Sequence, residues 1–150
     1  MALVPARGCA FGDYDNDGDV DVVVNCVNTY PQLLRCDATV KRNWIKIKAI
    51  GVKSNRTAIG ARVTVTAKTD PTSMKLLVQV DEVRSGGSYY SQNDLRLHFG
   101  LDKAETVESV EIRWPSGQVD AWKSLAANKL YVLAEGGKLV KAETLANWKK

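Results

Sequence analysis

Long apolar runs, helical periodicity and acid–base groups that titrate near neutrality are all scarce in this 150-residue chain. No stretch approaches the ~20 apolar residues that a membrane-spanning helix needs, which excludes insertion by that route. There is one histidine, His98, and it shares the outward face of a strand-like run with Arg96. A Ser-His-Asp set drawn from Ser91, His98 and Asp94 lacks the GxSxG context of a nucleophile elbow. Gly60 and Gly100 stand isolated, so no loop is built to cradle phosphates. The three cysteines, Cys9, Cys26 and Cys36, show no CxxC or Cys/His spacing, which removes zinc from consideration. Cys9 and Cys26 flank an acidic stretch almost symmetrically, and Cys26 and Cys36 flank Tyr30-Pro31. Only one of these pairs can form, and buried free thiols acting as small hydrophobes are the alternative.

What is present is globular: 45% hydrophobic and 25% charged residues, enough apolar material for a core. Net charge is +4, unevenly spread. Residues 1–40 carry two cationic residues against six aspartates, a net of −4; residues 41–150 carry 19 Lys and Arg against 11 Asp and Glu, a net of +8. The basic residues are scattered among apolar ones, as in Lys46, Lys48 and Arg62, with no run of five. Solvated strand faces account for them better than a nucleic-acid partner does. Met1–Arg7 is too short for a secretory signal, so an exported parent protein is expected to carry its signal upstream.

Nearly every periodic segment has a period of two, the mark of half-buried strands. Ile45, Ile47 and Ala49 alternate with lysines; Val63, Val65 and Ala67 with Arg62, Thr64 and Thr66. Leu76, Val78 and Val80, then Leu95, Leu97 and Phe99, then Val110, Ile112 and Trp114, then Leu130, Val132 and Ala134 form further sets. Turn residues separate them at Ser54–Arg56, Thr69–Thr72, Ser85–Ser88, Trp114–Gly117 and Glu135–Gly137. Regular short strands predict an all-β sandwich or barrel-like domain. Helix is expected only as a turn around Lys123–Asn128 and in the tail Ala142–Trp148. The expected division is a hairpin over residues 1–40, a β domain over 41–140 and a tail over 141–150. Trp114 reads as core; Trp122 and Trp148 fit packing of the tail better than exposed platforms.

The loop Asp13-Tyr14-Asp15-Asn16-Asp17-Gly18-Asp19-Val20-Asp21 carries the strongest chemical signal. Ca²⁺ takes six to eight oxygens in flexible geometry, and alternate residues of a curled loop point their carboxylates at one centre. Asp13, Asp15 and Asp17 supply the first ligands in this reading. Gly18 permits the turn, Asp19 offers its carbonyl, and Asp21 closes the shell. Five aspartates within nine residues repel one another without a cation. An EF-hand needs Glu at position 12 and flanking helices; here Val24 stands there, inside strand-like Val22-Val23-Val24.

The stretch Gly8-Cys9-Ala10-Phe11-Gly12 through Asp21 resembles the FG-GAP/VCBS repeat, the calcium-loop motif of integrin-like β-propeller blades. The stretch C-terminal to it resembles the ASPIC/UnbV domain of cartilage acidic protein-like proteins. Ser54–Val63, Glu82–Leu101 and Val110–Gly117 carry that second resemblance. It implies an extracellular or periplasmic, calcium-loaded β protein used in adhesion or binding, with the hairpin as an incomplete blade. It implies no enzymatic activity.

Ser85-Gly86-Gly87-Ser88-Tyr89-Tyr90-Ser91-Gln92-Asn93-Asp94 is the other suggestive stretch. Tyr89 and Tyr90 offer stacking surfaces, and Ser88, Gln92 and Asn93 offer hydrogen bonds. With Arg56 and Arg84 they make a candidate surface for a protein or glycan ligand. An ordinary Gly-Gly bend between strands is the plain alternative. The expected function is a calcium-binding, exported binding, adhesion or scaffold module, with calcium mainly structural. A carbohydrate-binding module is the alternative, and a glycosidase-like enzyme is less favoured than either.

Overall fold

The computed structural model describes residues 5–69 and 76–145. Among these there are eleven strands and no helix: β1 (Ala6–Gly12), β2 (Asp21–Cys26), β3 (Gln32–Leu34), β4 (Asn43–Ile50), β5 (Arg62–Ala67), β6 (Leu77–Glu82), β7 (Leu97–Asp102), β8 (Thr106–Arg113), β9 (Val119–Ala126), β10 (Lys129–Ala134) and β11 (Lys138–Glu143). The all-β expectation holds. The expected helical turn at Lys123–Asn128 is instead the end of β9, because Trp122 and Leu125 point into the core and the strand pairs with β8 as far as Ala126. Ala142 and Glu143 belong to β11, and Trp148 lies outside the described residues.

The chain divides into two compact units. Among the described residues, one comprises 5–40 together with Arg84–Asp94; the other comprises 41–69, 76–83 and 95–145. The segment between β6 and β7 therefore groups with the N-terminal hairpin.

The larger unit is a sandwich of two four-stranded sheets, ordered β11-β10-β4-β7 and β6-β5-β8-β9. Alternation puts Ile45 and Ile47 of one sheet and Val63, Val65, Val110 and Ile112 of the other into one buried cluster, all with no exposed surface. A register shift between Thr66 and Ala67 inserts an extra residue in β8, so that Val107 reaches the same core although it lies out of phase with Val110. β10 runs parallel to β4. Its residues Leu130–Ala134 are all buried, so it is covered on both faces, as parallel strands commonly are. The simple alternation expected there does not apply.

β6 departs from expectation in another way. Pairing Val65 with Gln79 and Val63 with Asp81 turns Gln79 and Leu77 toward the sandwich interior. Leu76, Val78 and Val80 are consequently the exposed residues, at 49%, 56% and 47%. The apolar phase of this edge strand faces outward.

The smaller unit is a three-stranded antiparallel sheet, β1-β2-β3. Cys9 lies opposite Val24, and Cys26 opposite Ala6, so the two thiols are out of register across the hairpin. All three cysteines are free.

Candidate functional site

The acidic loop joins β1 to β2. Asn16 (φ 59°) and Gly18 (φ 96°) take left-handed backbone conformations that curl the chain back on itself. Curling brings carboxylate oxygens of Asp13, Asp15 and Asp21 within 4.8 Å of one another. Backbone N–H groups aim two of the three: Asp17 and Gly18 donate to Asp13 at 3.0 and 2.9 Å, while Tyr14 and Cys36 donate to Asp21 at 3.1 and 2.8 Å. Asp13 and Asp21 are 2% exposed.

Asp15 differs from both. Its Oδ1 is buried and has no hydrogen-bond partner among the described residues. Burial, then the charges of Asp17 and Asp21, push its carboxyl above the ordinary range. A buried carboxylate oxygen without a partner is costly, and a hard cation is a partner suited to it. Of the five aspartates expected to ligate, the structure gathers these three. Asp17 accepts from the Asp19 N–H at 2.9 Å, and the Asp19 carboxylate accepts from the Ala38 N–H at 2.9 Å. Asp19 thereby fastens the segment after β3 to the loop.

The Arg84–Asp94 segment lies along the free edge of β1. Asp94 N–H donates to the Phe11 carbonyl at 3.1 Å, and Ser91 Oγ donates to the Cys9 carbonyl at 2.7 Å. In return Phe11 N–H donates to Asn93 Oδ1 at 3.1 Å and Cys9 N–H to Ser88 Oγ at 3.4 Å. Gln92 holds the bend itself, accepting from Gly86 N–H at 2.6 Å and donating to the Arg84 carbonyl at 3.0 Å. Of the residues expected to form a ligand surface, Ser88, Gln92 and Asn93 are thus occupied in fixing this segment. Tyr89 and Tyr90 are exposed and meet edge to face at 4.4 Å, with Tyr90 held at φ 51°. Arg84 is exposed in the same unit, whereas Arg56 belongs to the other.

Two carboxylates of the larger unit belong to no sequence motif. Glu135 accepts from three successive N–H groups, Val52, Lys53 and Ser54, at 2.8, 2.7 and 2.7 Å, and from the hydroxyls of Ser54 and Ser116. Burial pushes its carboxyl up, but these hydrogen bonds, led by Ser116, Ser54 and Val52, outweigh it and bring it down to about 2. Asp120 accepts from the Trp114 indole at 2.7 Å and the Gly136 N–H at 2.9 Å. Burial opposes its ionisation too, yet hydrogen bonds from Gln118, Gly136 and Trp114 leave it below the usual range. The sequence does hold one signal for Glu135: a carboxylate ending the unbroken apolar run Leu130–Ala134 needs donors brought to it.

Sandwich, acidic hairpin and carboxylate-clasped loops together define a β-rich module. The ASPIC and UnbV family model matches residues 51–140, and the chain belongs to that family. It is also similar to cartilage acidic protein 1 of Xenopus tropicalis, with 27% identity over 115 residues, covering 75% of this chain and 16% of that protein. The chain thus spans about one sixth of the length of that relative. Among the described residues no helix is long and apolar enough to cross a membrane.

Proposed function

We propose that the chain is a calcium-stabilised, exported β-rich module for binding or adhesion, without enzymatic activity. One observation carries the calcium half of this reading: Asp15 Oδ1 is buried without a partner where Asp13 and Asp21 converge. Asp13, Asp15 and Asp21 would hold the ion, with Asp17 and the Asp19 carbonyl as further oxygen donors. Bound Ca²⁺ would supply positive charge that offsets carboxylate repulsion, a folding contribution rather than a reaction step. At a concentration ~100 times its dissociation constant the ion stabilises the fold by roughly 2.7 kcal/mol.

Exported placement rests on the likeness to cartilage acidic protein 1. The propeller-blade reading of the hairpin draws support from its two exposed faces. Phe11 and Leu34 are exposed on one, and Val23 and Leu33 on the other. Sheets that stack between neighbours carry apolar residues on both faces. His98 stacks on the Trp44 ring at 5.7 Å, an arrangement the non-catalytic reading accommodates.

Melting the purified chain in calcium and in chelator tests the reading. Wild type is expected to melt several degrees higher in calcium, and Asp15→Asn to lose that difference. Identical wild-type melts in both buffers would end the calcium claim.

A carbohydrate-binding module remains the second reading, favoured by the exposed Tyr89–Tyr90 pair on its fixed loop. Trp44, Trp114 and Trp122 are all buried and offer it no platform. Loss of glycan retention in Tyr90→Ala would support it, and no retention of any polysaccharide by wild type would remove it.

A further inference from the structure

The outer face of the β6-β5-β8-β9 sheet carries an arrangement that folding alone does not favour. Arg62 of β5 and Arg113 of β8 are direct cross-strand partners. Side chains of such partners leave the same face of the sheet, and their Cα atoms lie about 4.5–5.5 Å apart. Like charges placed directly opposite destabilise a strand pair. The two arginines line a shallow cleft of about 370 Å³ with Thr64 and Glu111. Both are exposed, and no hydrogen bond or ion pair among the described residues engages either guanidinium. Glu82, across from Arg62 on β6, and Glu111, two residues from Arg113, are the nearest carboxylates in register, and neither is paired with them.

We propose that Arg62 and Arg113 form a binding site for an oxyanion, the carboxylate or sulfate of an acidic polysaccharide lying across this sheet face. Two adjacent guanidinium forks suit a planar or tetrahedral oxyanion, which each can bind through two N–H groups. Further along the face, Lys68 and Lys123 line a second cleft of about 510 Å³ with the hydroxyls of Thr66 and Ser109. Thr64, Thr66 and Ser109 form a line of hydroxyls between the cationic ends, matched to sugar hydroxyls. Glu108 and Glu111 interrupt the positive charge, so the face suits anions spaced along a polymer rather than a dense run.

Other polymers fit less well. β5 and β8 are paired on both edges, so a peptide cannot add as a strand here. The face has no aromatic side chain among its described residues, so bases have no stacking platform. Such a site gives a ligand class to the binding half of the function proposed above, and rests on that half. It does not depend on the acidic loop, so its failure and that of the calcium reading are separable: one is read by retention, the other by melting in chelator.

Affinity electrophoresis through gels holding dextran sulfate, polygalacturonate, polyglutamate or duplex DNA tests the proposal. Wild type is expected to be retarded by one or both sugar polymers more than by polyglutamate or DNA. Retardation by dextran sulfate alone assigns a sulfate, and by polygalacturonate a carboxylate. Arg62→Ala and Arg113→Ala should each weaken it tenfold or more, and Arg113→Lys should weaken it less. The exposed Lys138→Ala serves as the control and should leave it unchanged. Arg113→Thr should lose retention while melting at or above the wild-type temperature, the opposite of what a structural arginine would do. Equal retardation by polyglutamate or DNA, or sugar-polymer binding indifferent to both arginines, would overturn it.

Discussion

At the scale of single residues, Glu135 shows how much one side chain organises. Its carboxylate closes three backbone donors of the Val52–Ser54 turn, and Ser116 joins from the β8–β9 turn. The folded carboxyl titrates at about 2 against an ordinary 4.5. A depressed carboxylate stabilises the fold fully above its unfolded value, and that contribution fades as pH falls toward the folded one. Melting temperature is therefore expected to drop between pH 4.5 and 2 in wild type, and the gap to Glu135→Gln to narrow over the same interval. Ala58 sets two small effects against each other. It is fully buried at φ 57°, where a non-glycine residue bears roughly 1–2 kcal/mol of strain. Ala58→Gly relieves that but gives up a methyl contact worth ~0.8 kcal/mol, so denaturant unfolding should place it within about 1 kcal/mol of wild type. Ala58→Val should fall well below both.

At the scale of elements, the edge of β1 depends on the Arg84–Asp94 segment. A Cβ on Gly8 would sit 1.9 Å from the Tyr89 carbonyl oxygen. Backbone against backbone has no flexible end to give way, so Gly8→Ala should push the segment off the strand. Limited proteolysis should then cut at Ser85–Tyr90, where wild type resists. Strand existence was readable from period-two runs because one buried face per strand imposes that period. Strand facing at β6 was not, since Leu76, Leu77, Val78 and Val80 leave the phase open until Gln79 is paired with Val65. The acidic loop was legible because its donors are close in sequence. Glu135 with Val52 and Arg62 with Arg113 are joined only by sheet register, which no local pattern contains. For the same reason Ser88 and Asn93 read as a ligand surface, although their partners are on β1.

At the scale of the whole chain, the division into two units predicts unequal responses to calcium removal. Hydrogen exchange in chelator should speed up across Ala6–Leu34 and Arg84–Asp94, while β4, β5 and β8 keep their protection. Ile112→Ala should have the opposite footprint. It empties part of a core with no exposed surface and should cost roughly 2–5 kcal/mol, loosening the sandwich. Uniform exchange in both cases would mean that the units unfold as one.

The path of the chain through its smaller unit also bears on inheritance. Residues 84–94 are encoded within the sandwich but finish the edge of a sheet that begins near the N-terminus. A recombination event at residue 40 would hand one product a strand lacking its cover and the other a segment lacking its strand. Hairpin and sandwich are therefore expected to travel between genes together, with breakpoints selected against between β3 and β4.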